Sequence, residues 1–245
     1  MRIKGTNMKK LFLSILMCFV ISVLSGCLYP QDKLAQNQVP YDDQLQSVQT
    51  AVNKFKENNS GMLPIKNKDM NTPIYIKYPI DFTKLTPGYL SDAPGNSYEN
   101  GGIFQYVLVD AEKNPTVKLV DLRVAEKLRD VSLRVQVYKD KHSYPPIKKT
   151  LANGVFLLNY KKMGFKEEPF VVSPYSNKNL PIIMGNDGEF YVDYSTDLYA
   201  KINEAKNFKF GEDIRSILVK DSPIVPAYSL PYSIKDGQPV FLEQK

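Results

Sequence analysis

The sequence predicts an α+β protein, and three observations lead there. Segments 42–58 and 121–141 carry apolar residues at helical spacing. Between and after them come short runs of period-two alternation, set apart by Gly, Pro, Asn and Asp turns. These runs cluster instead of alternating one for one with helices, which disfavours a parallel sheet and suits helices laid on antiparallel strands. With 43% hydrophobic and 24% charged residues in a chain of 245, the composition is that of a folded protein. It excludes a disordered tail, a collagen-like repeat and a polytopic membrane protein.

The chain opens with a cationic stretch (Arg2, Lys4, Lys9, Lys10) and continues into the apolar run Leu11 to Leu24. That run has the length of a secretory h-region and is too short to span a bilayer comfortably. Leu24-Ser25-Gly26-Cys27 follows. This stretch resembles the lipobox of bacterial lipoproteins, where small residues admit the peptidase and the thiol forms a thioether to diacylglycerol. The resemblance implies a signal peptide at 1–26 and an S-diacylglycerol, N-acyl Cys27. Two or more acyl chains give stable anchoring, where one is marginal. An ordinary secretory signal or an uncleaved anchor helix is the competing reading. Cleavage removes four cations and no acid, so the formal net charge falls from +6 to +2 over the remaining 219 residues. No nucleic-acid partner is expected from so small a balance. Cys18 leaves with the signal peptide and Cys27 is modified, so no disulfide is expected and the core alone holds the fold.

Residues 27–41 are polar and aperiodic and read as a tether, with an r.m.s. span of about 20 Å. Leu45, Val48, Val52 and Phe55 then define a helix from Asp42 or Asp43 to about Asn58, closed by Gly61 and Pro64. Ile74 to Tyr78 and Ile103 to Asp110 read as strands. Leu122, Ala125, Leu128, Val131, Val135 and Tyr138 define the longest helix, with Asp121 as N-cap and Tyr144-Pro145-Pro146 as stop. Val155 to Tyr160 reads as a buried strand. Ile182–Met184 and Phe190–Tyr194 flank the hairpin turn Gly185-Asn186-Asp187-Gly188. Short helices are expected at Asp197–Lys206 and Glu212–Lys220. Pro223 to Lys245 is expected to be extended on the surface, with a turn at Lys235-Asp236-Gly237.

A weak internal echo with a period of about 80 residues accompanies these elements. Phe55-Lys56-Glu57 and Pro64-Ile65-Lys66 recur as Tyr138-Lys139-Asp140 and Pro146-Ile147-Lys148, and Asp81 to Leu85 as Asn159 to Met163. Gly102, Phe104 and Tyr106 echo Gly188, Phe190 and Val192, and Asp121-Leu122 echoes Asp197-Leu198. The echo suggests two similar lobes, 42–120 and 121–206, each a helix on an antiparallel sheet, followed by an extended segment 207–245.

Residues with catalytic chemistry are sparse. His142 is the one histidine and falls in a polar helix end, where a solvated role is expected. No Ser-x-x-Lys pair sits in a helical setting, and no Gly-rich phosphate loop occurs. Asp187, Asp193 and Asp197 fall at a turn, a strand and a helix start, without the ligand spacing of a calcium loop, and read as turn and cap residues. No cofactor and no metal are expected, and the chain is not expected to be an enzyme. Sixteen tyrosines, several beside prolines, either cover the core at sheet edges or form a contact surface.

The Leu24–Cys27 box, the polar tether and the Lys/Tyr/Pro-rich body together resemble the YphF-type lipoproteins of Bacillus-like bacteria. The resemblance carries over no catalytic or ligand-binding residue. It implies a lipid-anchored protein on the extracytoplasmic face of the cell membrane. Its expected role is a non-catalytic binding or assembly module contacting a protein or cell-wall partner. The alternative is a solute-binding lipoprotein of an ABC-type importer.

Overall fold

The computed structural model describes residues 41–205 and 207–242; the expected signal peptide, Cys27 and the tether lie outside the described residues. The fold is α+β, with helices laid on antiparallel sheets.

Helix α1 (Tyr41–Asn58) has Asp42 and Asp43 in its first turn and Lys56 in its last, matching the helix dipole. Its stripe buries Val48, Ala51 and Val52 against the hairpin β1 (Phe104–Val109) and β2 (Thr116–Asp121). Each valine so buried contributes about 2 kcal/mol. In the hairpin, Tyr106 pairs with Leu119 and Leu108 with Val117. Phe104, Tyr106, Leu108 and Leu119 share the core with α1. Val107 and Val120 point the other way, into a second core with Tyr75, Val219 and Val225, as the two-residue strand period requires. Gln49 ties helix to strand. Its amide donates to Pro115 O at 3.0 Å and its carbonyl accepts from Val117 N at 2.8 Å. Single antiparallel bridges, Val107 to Pro79 and Ile80 to Ile65, widen the sheet. The short helix α2 (Phe82–Leu85) follows, capped by Asp81.

Ile74 to Tyr78 is not a strand. It begins as a 3-10 turn at Ile74–Ile76 after Pro73, and only Pro79 and Ile80 bridge onward. Proline at both ends denies the segment the donors that a ladder needs.

Strand β2 runs straight into helix α3 (Leu122–His142). Asp121 ends the strand and caps the helix, accepting from Arg123 N at 3.0 Å. Ser143, at φ 66°, closes the helix by donating to Lys139 O. Leu128, Val131 and Val135 pack on a second sheet: β3 (Ile147–Ala152), β4 (Val155–Leu158), β5 (Phe170–Val172), β6 (Asn179–Gly185) and β7 (Phe190–Val192). All pairings are antiparallel: β3 with β4, β4 with β6, β5 with β6, and β6 with β7.

The two halves share part of an order, a helix, two paired segments and a capped helical turn, and each ends in a hairpin, which in the second half follows the extra strand β5. Asp81 caps α2, and Asn159 caps the 3-10 turn Tyr160–Met163, each at the end of the second segment. By position β1 corresponds to β6 and β2 to β7, so the echo of Phe104 with Phe190 is displaced by one strand. Likewise Asp193, not Asp197, matches Asp121: Asp193 accepts from Ser195 N at 2.9 Å, opening α4 (Ser195–Ala200).

Much of the segment from Val225 to Ser233 is buried, not laid on the surface, while 235–238 are exposed. Helix α5 (Ser216–Val219) contributes Ile217 and Leu218 to the second lobe's core. Segment 223–228 then crosses both sheets. Leu119 N donates to Pro223 O, Val225 N to Leu119 O and Val192 N to Tyr228 O, at 2.8, 3.0 and 2.8 Å. The hairpin β8 (Tyr232–Lys235) and β9 (Gln238–Phe241) closes the described chain, with Asp236 and Gly237 both at positive φ as its tight turn demands.

Most tyrosine hydroxyls in these cores have partners. Tyr106 donates to Asn96 Oδ1, Tyr160 to Ile182 O and Tyr232 to Asp193 Oδ1. Burial pushes the pKa of all three, and of Tyr194, above the ordinary tyrosine value. The unfolded chain ionises its phenols near pH 10, while the folded chain holds them protonated. Their contribution to stability is thus complete below about pH 10 and is lost as pH rises beyond it toward the folded values. In an alkaline titration the buried phenols are expected to ionise in one cooperative unfolding step, where their tyrosinate absorbance rises together with loss of far-UV circular dichroism. Ionisation of the buried phenols in a protein that stays folded would contradict this.

Candidate functional site

One flank of α3 carries Ala125, Arg129, Ser132, Gln136 and Lys139, at alternating spacings of four and three. Such residues form a single row beside the buried stripe. The row faces the β6–β7 turn and leaves two clefts, of about 280 and 290 Å³, which both touch Ser132 and Phe190. Together they form a groove along the helix. From Ala125 to Lys139 it spans about 21 Å at the helical rise. Val135, Phe156, Met184 and Phe190 supply an apolar floor at the Lys139 end, where Pro145 and Ile147 close it; Tyr228 closes the other end.

The turn that forms the far wall is shaped by its own chemistry. Asp187 accepts from Glu189 N and from the Tyr191 hydroxyl. A Cβ at Gly185 would lie 2.5 Å from Asp187 Oδ1, so a side chain there would push that carboxylate aside. Gly188 takes the positive φ of 80° that the turn needs. The rim offers a hydroxyl, side-chain amides, an ammonium and a guanidinium over methyl groups and rings. That combination suits holding an extended ligand with apolar side chains and polar edges. A third cleft, of about 340 Å³, lies in the first lobe between residues 72–78 and the β1–β2 turn.

The structure does not gather the residues singled out from sequence into this groove. His142 is exposed at the end of α3, stacked on Tyr138, with Nδ1 2.9 Å from Tyr138 O. Asp187 is a turn residue and Asp193 caps α4. Asp197 is buried and accepts from the hydroxyls of Ser173 and Ser176. Among the described residues, no group of three or more His, Cys, Asp and Glu side chains is placed to hold a metal ion. Among them, too, no helix is long and apolar enough to cross a membrane. Of the tyrosines, Tyr106, Tyr160, Tyr194 and Tyr232 belong to the cores, whereas Tyr98, Tyr144 and Tyr199 are exposed.

A buried polar junction was invisible in the sequence. Arg215 donates to both oxygens of Asp213 and to Ser229 O and Oγ, and its guanidinium lies 5.1 Å from the Tyr75 ring centre. It joins Tyr75 of the first lobe to two parts of the C-terminal segment, at Asp213 and Ser229. The one available clue is that Asp213-Ile214-Arg215 repeats the spacing of Asp121-Leu122-Arg123, where the same fork forms.

Fold and groove define an α+β module of two helix-on-sheet lobes, with an open, chain-like recess on the second. Residues 41–121 match the family model of the YphF family N-terminal domain, which supports the YphF-type resemblance. The match runs from the first residue of α1 to the last of β2, so it covers the first lobe alone. No curated protein and no solved structure matches the chain.

Proposed function

We propose that the protein is a lipid-anchored extracytoplasmic module, held on the cell membrane through Cys27, that acts by contacting a protein or cell-wall partner and not by catalysis. The observation that carries the location is Leu24-Ser25-Gly26-Cys27 at the end of a signal-length apolar run. The groove along α3 supports the contact role, since apolar residues line it at the Lys139 end and polar side chains line its rim.

The test is Cys27→Ala in cells. The variant is expected to leave the membrane fraction almost entirely, or to accumulate as an unprocessed precursor, while the parent chain sediments with membranes and carries acyl mass on Cys27. Normal retention with normal processing in the variant would remove the anchor from the reading. A small molecule of a few hundred daltons retained on the gently purified protein would replace the contact role with solute binding.

A further inference from the structure

We propose that β3 is a docking edge for an extended acidic segment of another polypeptide, which adds to the second sheet as a further strand. The inference rests on the binding-module reading and names the partner's chemistry.

Among the described residues, strand β3 ends the order β3-β4-β6 and pairs with β4 alone. Its residues Ile147 to Leu151 are all exposed. An edge strand offers main-chain donors and acceptors to any incoming chain. Apolar side chains accompany them: Tyr144, Ile147 and Leu151 are 57%, 45% and 36% exposed. Lysines accompany them: Lys148 and Lys149 stand in the strand, Lys139 lines one cleft with Ile147, and Lys141 follows in the last turn of α3. Only Lys148 has a carboxylate partner, Glu168 at 2.6 Å; Lys139, Lys141 and Lys149 have none within 4.0 Å among the described residues.

Charge decides among the occupants. A second copy pairing β3 to β3 would set Lys148 and Lys149 against their equivalents, which is repulsive. An anionic wall polymer satisfies the lysines but leaves the strand's main-chain groups and apolar side chains without partners. An acidic, alternating polypeptide satisfies all three. Irregular register at Ile147/Lys149 and at Thr150/Ala152 bends the edge and limits the added strand to a few residues.

The probe is a short fluorescein-labelled peptide of alternating Glu and Val, titrated by anisotropy against the full-length lipidated chain in detergent. Saturable binding is expected. Lys148→Glu combined with Lys149→Glu should weaken it roughly tenfold, since both side chains are exposed and the fold is kept. The same peptide with alternate backbone nitrogens methylated should not bind. Equal binding of the methylated peptide, equal competition by polyphosphate, or no binding of the parent peptide would overturn the proposal. Photo-cross-linkers placed in membranes at Thr150 and at Ser132 separate the two readings. Capture at Thr150 that the Glu-Val peptide abolishes supports the edge. Capture at Ser132 alone sinks the edge and keeps the module, and capture at neither sinks both.

Discussion

Gly102→Ala is expected to destabilise the protein by about 3 kcal/mol or more. The added Cβ would stand 2.1 Å from Asn96 C and 2.1 Å from Asn96 O, and these are backbone atoms. No rotamer change relieves that overlap, so the chain at Asn96 and Ser97 must move. Both residues are fully buried. Asn96 O accepts from Phe104 N, Ser97 O accepts from Gly102 N, and Asn96 Oδ1 accepts from the Tyr106 hydroxyl. A shift of the loop would therefore disturb the start of β1 and a buried tyrosine bond together. Overpacking costs about 1–3 kcal/mol, and each buried hydrogen bond lost adds about 1 kcal/mol. Urea unfolding of parent and variant measures the difference. Gly88→Ala serves as the comparison, since nothing lies within 4 Å of its Cβ and it should unfold near the parental midpoint. An unshifted midpoint for Gly102→Ala would show that the loop yields freely.

Arg215→Ala is expected to cost about 3 kcal/mol, because removing one member of a buried ionic network strands the others. The guanidinium is nearly inaccessible and satisfies Asp213 through two parallel bonds, at 3.1 and 2.6 Å. It also satisfies Ser229 O at 2.7 Å. Without it, Asp213 keeps only partial access to water, its side chain being 33% exposed, and Ser229 O loses its donor. A void would open over the Tyr75 ring. Arg215→Lys should recover only part of the loss, since an ammonium keeps the charge but not the planar fork. Thermal and urea denaturation of the three proteins measure this. An alanine variant within about 0.5 kcal/mol of the parent would place Arg215 among ordinary surface residues.

The two long helices were legible because each buries one stripe and exposes the rest, as Val48/Val52 and Leu128/Val131/Val135 do. β1 was legible from its two-residue alternation, and β6 and β7 from the turn Gly185 to Gly188 between them. Three strands of the two helix-on-sheet lobes were not. β2 passes into α3 at Asp121 without a loop, so its residues read only as the approach to a helix. β3 is exposed and lysine-bearing, so it carries no apolar alternation to detect. β5 has three residues, fewer than periodicity can register. The C-terminal segment misled differently. Its prolines and tyrosines suggested an exposed coil, yet Val225, Leu230 and Tyr232 are core residues, because the far faces of both sheets need a cover. The groove lay beyond sequence reasoning altogether. Only its turn, Gly185 to Gly188, announced itself. Ser132 and Gln136 look like any polar helix positions until Phe190 is brought beside them.

The segment 223–228 fixes when the protein becomes a protein. A growing chain leaves its synthetic machinery N-terminus first, so these residues emerge only after both helix-and-hairpin halves have done so. Until they do, the outer edges of β2 and β7 are bare, and Val107 and Val120 face water. Each half can gather its helix and hairpin early, but neither can close. The segment acts as a clasp fastened once over both halves. Maturation is then a single late event, and a chain that stops short of it leaves two open sheets to the quality-control proteases.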